Sequence, residues 1–113
     1  MAKKVMKKRE FRKLLNKIVK ELLSRNGIEI FGNLKIEIVN TNEPLAFLKN
    51  NKIYVSIETS KLPKYILKYI LAHELAHLVV KRHTQKFWTL VKRIYPKYEK
   101  AKKTFETKYY FKL

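Results

Sequence analysis

The segment from Ile70 to His83 places more conditions on the fold than any other part of this sequence. It contains a His-Glu-x-x-His motif, formed by His73, Glu74 and His77, and a further histidine, His83, follows. Residues four positions apart lie on the same face of an α-helix, so the imidazoles of His73 and His77 can reach one point. Two ligands of a catalytic zinc ion have this spacing, with the intervening glutamate placed to act on the water.

His83 can bind the same ion only if the helix is interrupted before it. From His77 to His83 a continuous helix would turn by about 240° and rise by about 9 Å, so it cannot direct both side chains at one ion. We therefore predict that the helix ends near Lys81-Arg82 and that Thr84 caps a new helix. Apolar residues at helical spacing support this second helix: Phe87, Trp88, Val91 and Ile94.

The chemistry predicted for this segment is that of a zinc hydrolase. Three neutral imidazoles, from His73, His77 and His83, would hold Zn²⁺ and leave a fourth position to water. Glu74 would take a proton from that water and pass it to a leaving amine. The competing interpretation is that these are structural or surface histidines and that the motif is accidental. The apolar flanks and the third histidine favour the metal site.

The residues before the motif predict one helix and a small sheet. Apolar residues follow the helical period from Phe11 to Leu23, and Gly27 is suited to cap the helix end. Three short strands are expected at residues 34–39, 45–49 and 52–58. Together with the helices of the motif region, these elements predict an α+β fold.

Turn and cap residues connect the predicted strands to the motif. Asn50-Asn51 tolerates the left-handed backbone of a two-residue hairpin turn. The stretch from Thr59 to Pro63 supplies helix caps and a first-turn proline for a helix that begins at Lys64. The sequence does not indicate which strand lies at the edge of the sheet. An edge strand beside a cleft can pair with an extended peptide.

The C-terminal residues show a different periodicity. Residues 97–103 predict a short helix, whereas apolar and polar residues alternate along 104–113 and predict an extended segment. This segment is either an arm docked on the core or a substrate-like tail in the cleft, with Glu106 or the terminal carboxylate near the metal. In the second case, deleting residues from 104 onward should raise activity. Four tyrosines are candidates to stabilise an oxyanion, and spacing selects none of them: Tyr95, Tyr98, Tyr109 and Tyr110.

Composition bounds the remaining possibilities. The chain of 113 residues is expected to form a single domain, and it has no cysteine, which excludes thiolate ligands and disulfides. Its net charge of +18 is compatible with binding to nucleic acid, to an anionic membrane or to acidic partners. The alternative is a lysine-rich surface, as in proteins of thermophiles. No apolar run approaches the roughly 20 residues of a membrane span, and a cytoplasmic location is expected.

The segment HELAHLVVKRHTQKFWTLV resembles the active-site region of YgjP-like zincin metallopeptidases, in which HELAH, a spaced third histidine and a Phe-Trp pair recur. The length and the order of elements are similar to the minigluzincins, minimal metallopeptidases related to the gluzincins. The resemblance implies a zincin-like fold in which an N-terminal helix packs on a three-stranded sheet. One or two helices and a tail would follow the HExxH helix. It also implies zinc on His73, His77 and His83 and a catalytic Glu74.

The resemblance extends to regulation and to partners. Most gluzincins use glutamate as the third ligand, so this chain fits the minigluzincin variant with histidine. C-terminal segments can hold minigluzincins latent, either within one chain or by exchange between two chains of a homodimer. The leading hypothesis is therefore a zinc endopeptidase, or its zymogen, acting on peptides or proteins. The alternative is a basic nucleic-acid-binding module with a vestigial metal site, or a DNA-associated protease.

Overall fold

Four α-helices and a three-stranded sheet make up the part of the chain that this computed structural model describes, residues 4–25, 34–43 and 45–108. In chain order the elements are α1 (Lys8–Arg25), β1 (Lys35–Val39), β2 (Ala46–Lys49), β3 (Lys52–Ser56), a 3₁₀ helix (Ile57–Lys61), α2 (Lys64–His77), α3 (Gln85–Ile94) and α4 (Tyr98–Lys108). The predicted α+β class is confirmed. None of the described helices is both long enough and apolar enough to cross a membrane.

The sheet has the order β1-β3-β2, with β1 parallel and β2 antiparallel to the central strand. The predicted hairpin between β2 and β3 is present, and both turn residues, Asn50 and Asn51, have positive φ angles of 50° and 60°. Asparagine accepts this left-handed backbone more readily than most residues, which explains the turn. The strands β1 and β2 are therefore the two edges.

One face of the sheet is buried by α1 and α2. Alternate strand residues point into the core, and their side chains are almost fully enclosed: Ile36, Ile38, Ile53 and Val55. The apolar stripe of α1, which includes Phe11, Leu15 and Ile18, packs into the same core. The helix α2 contacts α1 and β2, while α3 and α4 pack on it as well. This arrangement makes α2 the central helix of the fold. Gly27, the predicted cap of α1, lies outside the described residues.

The third strand ends earlier than predicted. It stops at Ser56, and the next residues form the 3₁₀ helix instead of continuing to Glu58. The Ser56 hydroxyl donates to the Glu43 carbonyl at 2.8 Å and lies 3.1 Å from the Thr59 hydroxyl. These bonds satisfy the polar side chains of Ser56 and Thr59, which are both fully buried where the strand gives way to the 3₁₀ helix.

The predicted start of α2 at Lys64 is confirmed, but the residues predicted to cap it are corrected. Thr59 and Ser60 do not cap it, because they belong to the 3₁₀ helix, and Pro63 occupies the N-cap position without a side-chain bond. The carbonyl of Pro63 accepts hydrogen bonds from the amides of Ile66 and Leu67 at 3.0 and 3.1 Å. Proline fits here because it lacks an N–H that would need a partner.

The extended conformation predicted for residues 104–113 is wrong for residues 104–108, which belong to α4, and residues 109–113 lie outside the described part of the chain. Ala101 and Phe105 stand four positions apart and are both fully buried. Lys102 and Glu106 form an ion pair of 2.9 Å on the same helix. These residues therefore fit the spacing of a helix as well as the alternation of a strand, and burial of Phe105 favours the helix.

Candidate metal centre

The motif lies on the most deeply buried helix of the fold. Both His73 and Glu74 lie in the core and are only 2% and 3% exposed. Buried polar groups need hydrogen-bond partners to offset their desolvation. The His73 Nδ1 atom lies 3.1 Å from Oε2 of Glu74, so the two buried groups are partners of each other.

The chain turns sharply directly after the motif. The helix α2 ends at His77, four residues before the predicted break at Lys81-Arg82. The amide of Val80 still donates to the Ala76 carbonyl at 2.9 Å, which closes a tight turn. The prediction that Thr84 caps α3 is confirmed, because its hydroxyl accepts from the Phe87 amide at 3.4 Å. The predicted corner between two helices is therefore present, but it begins after His77 and not at Lys81-Arg82.

This corner brings the three histidines together. One nitrogen from each of His73, His77 and His83 lies within 4.8 Å of the other two. The two Nε2 atoms of His77 and His83 are 3.1 Å apart. Burial decreases along the series, since His73 is buried, His77 is half-buried and His83 is exposed. Such a cluster can hold a metal ion that is anchored in the core and accessible from solvent.

Aromatic side chains of α3 support the cluster. The ring of Phe87 packs against all three imidazoles, with centroid distances of 5.1, 4.5 and 5.0 Å. The Trp88 ring lies 6.0 Å from His73 and 5.9 Å from His83. These contacts restrict the orientations of the imidazoles, which preorganises the site.

A hydrogen bond to the backbone fixes the tautomer of His77. Its Nδ1 atom lies 3.1 Å from the Val80 carbonyl oxygen. A carbonyl can only accept, so Nδ1 carries the proton and Nε2 presents its lone pair to the cluster. The turn after α2 therefore orients the His77 imidazole as well as redirecting the chain.

Burial lowers the pKa of the imidazoles of His73 and His77 and raises that of the Glu74 carboxyl group. Desolvation, followed by the nearby His83 and Lys102, lowers the pKa of His73 to about 3. Desolvation also lowers the pKa of His77, followed by the effect of His73. For Glu74, desolvation raises the pKa to about 7, although the charges of His77 and His83 act in the opposite direction. Neutral imidazoles are the form that binds metals, and a carboxyl group with a pKa near 7 suits proton transfer.

A cleft of about 610 Å³ opens onto these groups. One wall is β2 with the hairpin turn, formed by residues 46–51. The other wall contains the end of α2 and the residues after it: His73, Glu74, His77, Leu78 and Lys81. The structure thus resolves which edge strand borders the cleft, and it is β2. One side of β2 pairs with β3. Its other side is an edge of the sheet, as an extended ligand would require.

The predicted tyrosine and glutamate candidates lie in different places. Tyr98 stacks on Trp88 at 5.8 Å, and Tyr95 follows the last residue of α3. Tyr109 and Tyr110 lie outside the described residues. Glu106 is not in an extended tail but on α4, where it pairs with Lys102.

Tyr69 is a neighbour of the site that the sequence reasoning missed. It is buried and meets His73 edge-on at 6.0 Å, and it also contacts Phe105 at 6.0 Å. Burial, followed by Glu106, raises the pKa of its hydroxyl. Its position four residues before His73 was the signal that could have revealed it. Being enclosed, Tyr69 supports His73 from behind and does not face the cleft.

Comparison with protein families identifies the chain as a metallopeptidase domain. It belongs to the YgjP-like family, whose metallopeptidase domain model matches residues 3–108. The resemblance recognised in the sequence is therefore confirmed. No curated protein matches the chain significantly.

Two solved structures have a similar fold. One is the metallopeptidase zymogen of Pyrococcus abyssi abylysin, with 22% sequence identity and a TM-score of 0.68, covering 83% of this chain and 93% of that one. The other is the metallopeptidase zymogen of Methanocaldococcus jannaschii jannalysin, with 23% identity and a TM-score of 0.67, covering 83% and 95%. At these identities the likeness concerns the fold, and it confirms the predicted zincin-like scaffold.

Proposed function

We propose that this chain is a zinc-dependent endopeptidase in which His73, His77 and His83 bind the ion and Glu74 is the general base. The observation that carries the proposal is the convergence of three imidazole nitrogens beside a buried glutamate, at a cleft lined by His73, Glu74 and His77. Membership of a metallopeptidase family supports the reaction class. Three neutral nitrogen donors suit zinc, which binds imidazole well and in catalytic sites keeps one position for water or substrate.

In the proposed mechanism of peptide hydrolysis, the metal site, Glu74 and the edge of β2 have separate roles. A bound zinc ion supplies Lewis acidity, which polarises the scissile carbonyl and makes the attacking water more acidic. Glu74 accepts a proton from the water and delivers it to the leaving amine nitrogen. The edge of β2 offers backbone groups that hydrogen-bond to an extended peptide and hold it across the cleft.

Removal of the metal tests this proposal. After treatment with a strong chelator, hydrolysis of a fluorogenic peptide should stop, and about one equivalent of zinc should restore it. Elemental analysis of the active protein should find one zinc ion per chain. Full activity in protein shown to be free of metal would contradict the proposal.

We further propose that the residues after Lys108 keep the full-length chain latent. The similar fold of two proteins described as metallopeptidase zymogens supports this idea. So does the position of α4, because Phe105 contacts Tyr69, which in turn contacts His73. Phe105, three residues before Lys108, is therefore separated from His73 by a single side chain. Inhibition within one chain and exchange between two chains of a dimer are both compatible with this arrangement.

Truncation after Lys108 is expected to raise peptidase activity, because it removes the proposed inhibitory residues and leaves α4 intact. Truncation before Thr104 is instead expected to unfold the protein, since loss of a buried phenylalanine such as Phe105 costs about 3–5 kcal/mol. Initial rates on a fluorogenic peptide, zinc content and thermal melts should be compared with those of the full chain.

Unchanged activity in the chain ending at Lys108, with zinc bound and the fold intact, would exclude latency through the tail. Light scattering separates the two forms of the proposal. A monomeric but latent full-length chain would exclude inhibition by exchange.

A further inference from the structure

The sheet face opposite the core carries two rows of side chains, of which Phe47 and Lys49, on the edge strand β2, also line the cleft. Cross-strand partners of the three strands lie side by side on this outer face. One row consists of Phe47, Tyr54 and Glu37, and the other of Lys49, Lys52 and Lys35. We call these six residues the sheet platform. None of its side chains is buried, whereas Ile36, Ile53 and Val55 on the opposite face are.

The first row presents stacked aromatic rings to solvent. The rings of Phe47 and Tyr54 are nearly parallel, with centroids 4.9 Å apart and planes inclined by 12°. Lys52 lies over the Tyr54 ring, 5.6 Å from its centroid. Phe47 remains 43% exposed. A further flat ring can therefore extend the stack at Phe47.

The second row is a line of positive charge across the sheet. Lys35, Lys52 and Lys49 stand on adjacent strands, spaced by about 4.8 Å per strand. The platform has one acidic residue, Glu37, and Lys52 already lies 3.6 Å from its carboxylate. The two rows are two residues apart along each strand, roughly 6–7 Å. One nucleotide can span this distance, with its base on the aromatic row and its phosphate on the lysine row.

We propose that the sheet platform binds single-stranded nucleic acid, through base stacking on Phe47 and phosphate contacts to Lys35, Lys49 and Lys52. Exposed aromatic rings on a sheet can stack with unpaired bases but not with those of a duplex, because duplex bases are already stacked on each other. Lysines act as point charges, whereas specific base recognition relies largely on arginine, so binding does not depend on sequence. The net charge of +18 adds long-range attraction to the phosphate backbone.

Two simpler interpretations of the platform make different predictions. An aromatic cross-strand pair also stabilises a sheet, and lysines on an edge strand discourage aggregation. In that case binding would depend only on total charge and would not involve Phe47. An acidic peptide could use the lysine row, but it would gain nothing from the free ring of Phe47. A contribution of the Phe47 ring to affinity therefore distinguishes nucleic-acid binding from a purely structural role and from binding of an acidic peptide.

The test measures binding of a fluorescein-labelled oligothymidylate of about ten nucleotides to the full-length, zinc-loaded protein by fluorescence anisotropy. Titrations at several salt concentrations between about 50 and 200 mM give the salt dependence. The triple variant Lys35→Gln, Lys49→Gln, Lys52→Gln is compared with a control triple that removes the same charge from the exposed face of α1: Lys13→Gln, Lys17→Gln and Lys20→Gln.

The platform variant should lower the slope of log K against log salt by about 2, at about 0.7 for each lost phosphate contact, and the control should leave it nearly unchanged. Phe47→Leu should weaken binding by about tenfold without changing the slope, while Phe47→Tyr retains a ring and should bind as the parent does. Thermal melts establish that each variant is folded.

Three results would overturn the proposal. The first is equal loss of binding in both triple variants, which would indicate attraction by total charge alone. The second is unchanged affinity in Phe47→Leu, or equally tight binding of an oligoglutamate peptide, since either result would show that base stacking contributes nothing. The third is a lack of oligothymidylate binding at the lowest salt concentration. None of these outcomes bears on zinc or peptidase activity, so this proposal can fail independently of the proposed function.

Discussion

Replacing Glu74 with glutamine is expected to lower the peptidase kcat by about 10² to 10⁴ while zinc content and fold are retained. The neutral amide cannot accept a proton from water. Its oxygen can still accept the hydrogen bond from His73 Nδ1, which lies 3.1 Å from the Glu74 carboxylate. Because glutamine also fills the same buried space, the variant isolates proton transfer from packing. Kinetics on a fluorogenic peptide, preferably with the chain ending at Lys108, measure the effect.

Glu106→Gln is the matched control for this experiment. Its carboxylate influences His73 electrostatically but pairs with Lys102 and lies on α4. We expect the kcat of Glu106→Gln to remain within a few-fold of the parent value. Loss of the surface ion pair with Lys102 should change the free energy of unfolding by about 1 kcal/mol or less. If Glu74→Gln retained nearly full activity, or if both variants lost it equally, Glu74 would not be the general base.

Replacing His83 with alanine is expected to weaken zinc binding by at least about 100-fold and to abolish peptidase activity. Loss of a residue that only orients a ligand costs about 10- to 100-fold, and loss of a direct ligand should cost more. His83 is exposed, so its removal should leave the folded core unchanged. Competition with a chromophoric chelator measures the affinity, and thermal melts of the metal-free protein test the fold.

Arg82→Ala provides the control for His83→Ala. Arg82 is the exposed neighbour of His83 in the same connection between α2 and α3, so both variants perturb this segment similarly. We expect Arg82→Ala to bind one zinc ion with the affinity of the parent. A His83→Ala protein that still binds zinc as tightly as the parent would show that the third ligand lies elsewhere.

The features that sequence analysis predicted correctly are local in origin. The helix with His73 and His77, the hairpin turn at Asn50 and Asn51, and the Thr84 cap each depend on residues within a few positions of one another. The need for a corner before His83 followed from helix geometry alone. The helix ends four residues earlier than predicted, in a turn that the Val80 amide closes by donating to the Ala76 carbonyl.

The tail was misassigned because two periodicities coexist in it. Residues 104–108 alternate in polarity, yet Ala101 and Phe105 also follow the helical repeat. Local pattern alone does not rank the two conformations. Burial of Phe105 against Tyr69 on α2 favours the helix, and this contact joins residues far apart in the sequence.

Residue type and helical spacing were enough to predict the three histidines of the candidate site, Glu74 beside them and the helix that carries His73 and His77. That β2 borders the cleft, and that Lys35 lies beside Lys49 and Lys52 on one outer face, became known from the fold and not from the sequence pattern. The physical reason is that strand order and helix packing arise from hydrogen bonds and burial between distant segments. Such pairings leave no periodic signal within any one segment.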